Sequence, residues 1–242
     1  MVITGGSSGI GFAVAELFAK EGATVYVLDI VENSSYKDNI RFISCDVSNY
    51  SNLENAINCI AKTAKTIDCV FAGAGILLSK KIIDSSLSEI DKILSVNLKG
   101  IIYILKNVIP IMIKQSYGNI VLMGSDQSFI GKADNSIYGC TKAAVAQLAK
   151  AMAVEYGQYN IRTNCVCPGT IDTPFVQQAV KKYSERTGTL VQEVLKDLEN
   201  AQPIKRLGTA DEVANLVLFL CSDLASYMNG SIISIDGGYT AQ

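Results

Sequence analysis

The sequence predicts a three-layer α/β/α fold, a doubly wound parallel sheet of seven strands with helices on both faces. Two patterns carry this reading. Short apolar runs alternate with stretches of helical period along the whole chain, and strands joined through helices pair in parallel by right-handed crossovers. The chain also opens with a strand, a glycine-rich loop and a helix in that order. At 242 residues and 49% hydrophobic, it can bury one large core, so a single domain over 1–242 is expected. No internal repeat, low-complexity tract or Pro/Gly linker divides it.

Val2-Ile3-Thr4 reads as the first strand; little chain precedes it, so it is expected to be short. Gly5-Gly6-Ser7-Ser8-Gly9-Ile10-Gly11 follows, and then the helical pattern Phe12–Ala19. Glycine allows a tight turn and close backbone approach, and the N-terminus of the following helix favours a pyrophosphate, so this unit predicts a dinucleotide pocket. Ala23–Asp29 is the second strand, with Asp29 at its carboxyl end, eighteen residues past Gly11. A carboxylate there accepts hydrogen bonds from an adenine ribose and repels a 2′-phosphate, which favours NAD. Strands follow at Arg41–Cys45, Ile67–Ala72, Asn119–Met123, Ile161–Cys167 and Ser231–Ile235. Helical patterns cover Ser51–Lys65, Ser88–Gln115, Tyr138–Tyr156 and Asp211–Cys221. Between Phe175 and Arg206 lies an amphipathic, charged insertion that suits a mobile lid over about 174–206.

Tyr138 and Lys142 stand one turn apart at the start of a run of good helix formers. A cation at ~4–5 Å, with an effective dielectric of ~20, favours the phenolate by roughly 3–4 kcal/mol, or about 2–3 pKa units. Such a tyrosine can move protons near neutral pH. The chain contains no histidine to take that role. Ser125 lies thirteen residues before Tyr138, just past the strand that ends at Gly124.

With Ser125, Tyr138 and Lys142 in this order, and with the glycine spacing Thr4-Gly5-x-x-x-Gly9-x-Gly11, the chain resembles the short-chain dehydrogenase/reductase family over about Val2 to Gly238. The resemblance implies a Rossmann-type fold in which Ser125 orients the substrate oxygen, Tyr138 is the general acid/base, and Lys142 lowers its pKa and holds the nicotinamide ribose. It implies that Asn97, in Ser95-Val-Asn97-Leu-Lys-Gly100, interrupts helical bonding and holds a water linking Lys142 to solvent. Asp46 and Val47 would lie against the adenine. Ala72-Gly73-Ala74-Gly75 stands where the family has Asn-Asn-Ala-Gly; the asparagines that tie central strands are missing, while the glycines still let the backbone approach the cofactor. Pro168, Gly169, Ile171 and Thr173 match the segment that positions the nicotinamide carboxamide, and Asp236-Gly237-Gly238 matches the family's closing signature. Members that use NADP usually carry a basic residue in the glycine loop or after the second strand, where this chain has Ser8 and Ile30.

Basic and acidic residues balance, 21 against 23, so no nucleic-acid or anionic-membrane partner is expected. The run Ile101–Ile113 is broken by Lys106, Asn107 and Pro110, no transmembrane span is expected, and the N-terminus shows no secretory signal. A soluble, cytoplasmic protein is the expectation. Cys45, Cys59, Cys69, Cys140, Cys165, Cys167 and Cys221 show no zinc-like spacing, so no metal is expected and Cys165 and Cys167 read as core thiols.

The expected function is therefore an NAD-dependent interconversion of a secondary alcohol and a ketone by hydride transfer, NADP being less favoured. Substrate contacts are expected from Ser125, Tyr138 and Gln127; with Asp126 beside it, Gln127 would favour a small polar substrate such as a sugar, polyol or cyclic alcohol. The alternative is a 3-oxoacyl-[acyl-carrier-protein] reductase-like enzyme, for which Lys181, Lys182 and Arg186 would offer a basic docking face. A non-catalytic NAD-binding regulator and a structural subunit are the rivals from other classes. A homotetramer is expected from family resemblance and from the apolar faces of the long helices.

Overall fold

The computed structural model describes residues 1–37 and 39–242. Its seven strands are β1 (Val2–Thr4), β2 (Val25–Asp29), β3 (Ile40–Ser44), β4 (Cys69–Ala72), β5 (Gly118–Met123), β6 (Ile161–Pro168) and β7 (Ile232–Ile235). All pair in parallel, in the order β3-β2-β1-β4-β5-β6-β7. The chain reverses direction across the sheet between β1 and β4, and the crevice at the carboxyl ends of these strands is where such sheets bind ligands.

Among the described residues there are eight α-helices, α1 (Gly9–Lys20), α2 (Tyr50–Thr63), α3 (Leu87–Leu94), α4 (Gly100–Gln115), α5 (Ser136–Tyr156), α6 (Pro174–Thr187), α7 (Val191–Ala201) and α8 (Ala210–Cys221), of which α1, α2, α4, α5 and α8 cover the sheet faces. Successive strand residues point to opposite faces. Val2, Val70, Ile120 and Leu122 therefore join Leu53 and Ile57 of α2, Ile104 and Val108 of α4, and Val145 and Ala149 of α5. Ile3, Phe71 and Val121 pack on the other side against Val14 and Phe18 of α1 and Val213 and Val217 of α8. Burial on both faces explains why β4 and β5 read as near-continuous apolar runs.

The helical run Ser88–Gln115 is interrupted. Between α3 and α4, Ser95–Lys99 form a π turn in which Gly100 N–H bonds the Ser95 carbonyl. Lys106, Asn107 and Pro110, which interrupt the apolar run Ile101–Ile113 in composition, lie inside α4 without ending the helix. By length and composition alone Leu87–Gln115 is apolar enough to cross a membrane, but Ile101, Ile104, Leu105, Val108, Ile109 and Met112 spend that apolarity on the sheet.

Candidate active site

A cleft of about 750 Å³ runs along the carboxyl ends of the strands, within the usual size for a small-molecule site. The glycine loop forms one wall. Gly5 has φ +71, and a Cβ there would lie 2.7 Å from the backbone of Ala74; Gly9, the first residue of α1, has φ +52. Only glycine occupies both places without strain. Asp29 anchors this wall, its carboxylate accepting from Ser7 N–H at 3.0 Å and Ile30 N–H at 2.7 Å. Tyr36 packs on Phe12 and pairs its hydroxyl with Ser7 Oγ at 2.8 Å, so the segment after β2 is folded onto the loop.

Of the residues expected to hold a dinucleotide, Gly5, Ser8, Gly9, Ile10, Gly11, Asp29, Asp46, Val47, Gly73, Ala74, Pro168, Gly169, Ile171 and Thr173 line the cleft. Ser7 acts behind it through its bonds to Asp29 and Tyr36, and Ala72 is buried in β4 below it. Ile76, Asp91 and Lys92 also line it and carry no sequence signal that marks them. Phe175 and Val176, which line it as well, directly follow the Pro168–Pro174 segment at the start of the proposed lid. A backbone cradle that a side chain would fill, with a carboxylate at the end of β2, fits a nicotinamide dinucleotide.

The segment that lacks the asparagines is held by other groups. Gly73 N–H donates to Thr4 O at 3.1 Å and Ala74 N–H to Thr4 Oγ1 at 3.3 Å. Asn97 clasps Ile76 from both sides: Oδ1 accepts from Ile76 N–H at 2.8 Å, and Nδ2 donates to Ile76 O at 2.9 Å. Nδ2 also reaches Thr141 Oγ1 of α5 at 3.3 Å. The π turn Ser95–Lys99 carries this fully buried amide.

Ser125, Tyr138 and Lys142 meet at the far end of the cleft, each buried. Ser125, two residues past β5, opens the short turn Asp126–Ser128, and Ser128 Oγ ties that turn to α5 by donating to Lys142 O at 2.9 Å. Lys142 Nζ lies 5.6 Å from the centroid of the Tyr138 ring and donates to Met123 O at 2.8 Å. Burial pushes the Tyr138 phenol up to about 12; a hydrogen bond with Ser125 opposes this, while charge at Asp126 and Cys167 adds to it. Burial likewise pushes the Lys142 ammonium down to about 8. The sequence-based expectation of a lowered tyrosine is thus reversed in the protein alone, because burial penalises the charged form of each group.

Gln127 does not reach this cleft; it lines a neighbouring cavity of about 620 Å³ with Lys132, Asn135 and Cys140. Asp126 does not stand at the mouth as a substrate contact. It is buried, accepts from Ser125 Oγ at 2.8 Å and pairs with Lys132 Nζ at 2.6 Å. Cys165 and Cys167 are buried as expected, with Sγ atoms 3.8 Å apart below Gly124, where a Cβ would come within 2.6 Å of Cys167 Sγ.

A family model described as enoyl-(acyl carrier protein) reductase matches residues 5–240. The chain is 35% identical to dehydrogenase/reductase SDR family member 6 of Aquarana catesbeiana, over 99% of this chain and 96% of that one. It superposes on the aldohexose dehydrogenase of Thermoplasma acidophilum with a TM-score of 0.93 and 36% identity, covering 100% of this chain and 94% of the other. It is also similar to ElxO, solved with NADP bound, with a TM-score of 0.89 and 31% identity over 100% of this chain and 98% of that one.

Proposed function

The chain belongs to the short-chain dehydrogenase/reductase family, and from that premise we propose that it interconverts a secondary alcohol and a ketone with a nicotinamide dinucleotide, NAD in preference to NADP. The observation that carries the reading is the meeting of Ser125, Tyr138 and Lys142 at the end of the same cleft that the glycine loop opens. Gly5, Ser8 and Gly9 would hold the pyrophosphate, Asp29 the adenine ribose, and Ile171 with Thr173 the carboxamide end. When bound, the dinucleotide supplies the hydride acceptor for oxidation and the hydride donor for reduction.

The chain's own residues supply position and proton movement. In oxidation Tyr138 Oη takes the proton of the substrate hydroxyl, and in reduction it returns one to the carbonyl oxygen. Lys142, within 5.6 Å of the ring, favours the phenolate whenever it carries its charge. Ser125 holds the reacting oxygen beside Tyr138. Asn97 keeps the Ile76 segment in register with α5, which fixes the cleft wall opposite Lys142. Asp29 supports NAD, as does the absence of a basic residue at Ser7, Ser8 or Ile30; the similarity to an NADP-bound protein keeps NADP as the second reading.

For the substrate, a small polar alcohol is supported by the likeness to an aldohexose dehydrogenase, no longer by Asp126 or Gln127. A 3-oxoacyl thioester is the second reading, favoured by the acyl-carrier description of the matching family and by Ile76, Phe175 and Val176 in the cleft. We also propose a homotetramer, because Ile102 of α4 and Val154 of α5 stand 42% and 84% exposed on the outer helix faces. The test is a panel of aldohexoses, polyols and cyclic alcohols with NAD or NADP, against an acetoacetyl thioester with the reduced forms, read by nicotinamide absorbance. Turnover of an alcohol supports the proposal; silence across the panel and the thioester overturns it.

A further inference from the structure

Every polar group of Ser7 in the glycine loop is taken by one segment, the stretch that leaves the end of β2. Its N–H donates to Asp29 Oδ2 at 3.0 Å, its carbonyl accepts from Asn33 Nδ2 at 2.9 Å, and its hydroxyl pairs with Tyr36 Oη at 2.8 Å. Tyr36 Oη also donates to Gly6 O at 3.3 Å. The Asn33 amide is fixed at both ends, since its Oδ1 accepts from Ser35 N–H at 2.9 Å. Asn33 and Tyr36 are half-buried in a stretch where Ile30, Val31, Glu32, Ser34 and Ser35 stand exposed. Tyr36 is seated on Phe12 of α1 with ring centroids 6.0 Å apart, and Lys37 pairs with Glu16 of the same helix at 2.6 Å. The stretch is thus clasped to the glycine loop and to α1.

Asp29 depends on this clasp. Its Oδ1 takes the N–H of the next residue, Ile30, at 2.7 Å, a bond within the same stretch of chain. Among the described residues, the bond from Ser7 N–H to Oδ2 is what ties the carboxylate to the glycine loop. We propose that Tyr36 and Asn33 are positioning residues that set the choice of dinucleotide: by holding Ser7 they hold the Asp29 carboxylate still at the end of β2. The assignment rests on the reading of Asp29 as the contact to the adenine ribose. A fixed carboxylate offers its remaining lone pairs to the ribose hydroxyls without first having to be ordered, and it cannot swing away from a 2′-phosphate. Once Ser7 is released, binding the ribose hydroxyls must order the carboxylate, while rotation relieves its like-charge contact with a phosphate. Loss of the clasp therefore narrows the discrimination from both sides. A merely structural fault in the loop would weaken both ligands alike.

The experiment titrates the full chain calorimetrically with ADP-ribose and with 2′-phospho-ADP-ribose, which carry the adenosine ends of NAD and NADP and no reacting ring. Tyr36→Phe keeps the ring on Phe12 and removes the hydroxyl. It should narrow the preference for ADP-ribose by about three- to tenfold, and Tyr36→Phe combined with Asn33→Ala should narrow it further. In an Asp29→Asn background the same changes should move the ratio by less than about twofold, because the charge through which they act is gone. A ratio unmoved by Tyr36→Phe, or moved as far in the Asp29→Asn background, overturns the proposal; should the combined variant fail to fold, Tyr36→Phe decides alone. An unaltered chain with no preference for ADP-ribose removes the reading of Asp29 and the proposal with it. If the shifts occur but the panel of alcohols, ketones and thioesters shows no turnover, the clasp stands and the alcohol–ketone reading falls.

Discussion

Lys142 Nζ lies 5.6 Å from the centroid of the Tyr138 ring, yet its hydrogen bond at 2.8 Å goes to Met123 O, the last carbonyl of β5. The pair is therefore poised by burial rather than by direct contact, and this sets a pH signature. Lys142 is lowered from 10.5 to about 8. Between those values the unfolded chain holds the proton and the native chain does not, so native stability rises as pH goes from about 8 toward 10.5. Tyr138 is raised from 10.0 to about 12, so the native chain holds that proton longer and stability falls as pH rises between them. Urea unfolding at pH 7.5 and 9.5 should show the unaltered protein gaining about 2 kcal/mol relative to Lys142→Met over that interval. A constant difference between the two proteins would contradict the burial argument.

Tyr138→Phe removes the phenolic hydroxyl and keeps the ring. Turnover should fall by about 10²–10⁴-fold or more, while dinucleotide affinity, measured by calorimetric titration, stays within a few-fold. Retention of most of the rate would sink the acid/base role.

Asp29 has two duties, one toward the ribose and one toward Ser7 N–H. The unaltered protein should bind NAD roughly ten- to a hundredfold better than NADP, or 1–3 kcal/mol. Asp29→Asn should narrow that preference, whereas Asp29→Ala should also weaken both nucleotides because the glycine loop loses its anchor. Equal affinities in the unaltered protein would refute the assignment.

Gly5→Ala places a methyl 2.7 Å from the Ala74 backbone at φ +71. Stability should drop by about 1–3 kcal/mol in urea unfolding, with dinucleotide affinity falling alongside. An unchanged midpoint would mean the loop is free to relax.

The tetramer is tested by light scattering at micromolar concentration, where four times the 26.0 kDa chain mass is expected. Ile102→Asp or Val154→Asp should lower the mass, since a charge buried in an apolar interface is costly. A monomer mass for the unaltered protein would defeat the assignment.

The order and type of the elements were legible in the sequence because each strand and helix follows its own period, and the β1–α1 turn was legible because Gly5 and Gly9 need torsions other residues avoid. Ser125, Tyr138, Lys142 and Asn97 were readable through the resemblance to the family's motifs, Tyr138 and Lys142 also through their spacing of one helical turn. What only the tertiary structure decided was where unlike elements meet. No local pattern shows that Thr4 and Asn97 replace the missing asparagines, since those bonds span 70 and 21 positions. Nor does any pattern show Asp126 turning inward to Ser125 and Lys132, because a carboxylate beside a turn satisfies local rules whether it faces water or the core. The direction of the Tyr138 and Lys142 ionisation was hidden for the same reason: spacing along a helix gives the distance between two charges, but desolvation depends on β5, β6 and everything else packed around them.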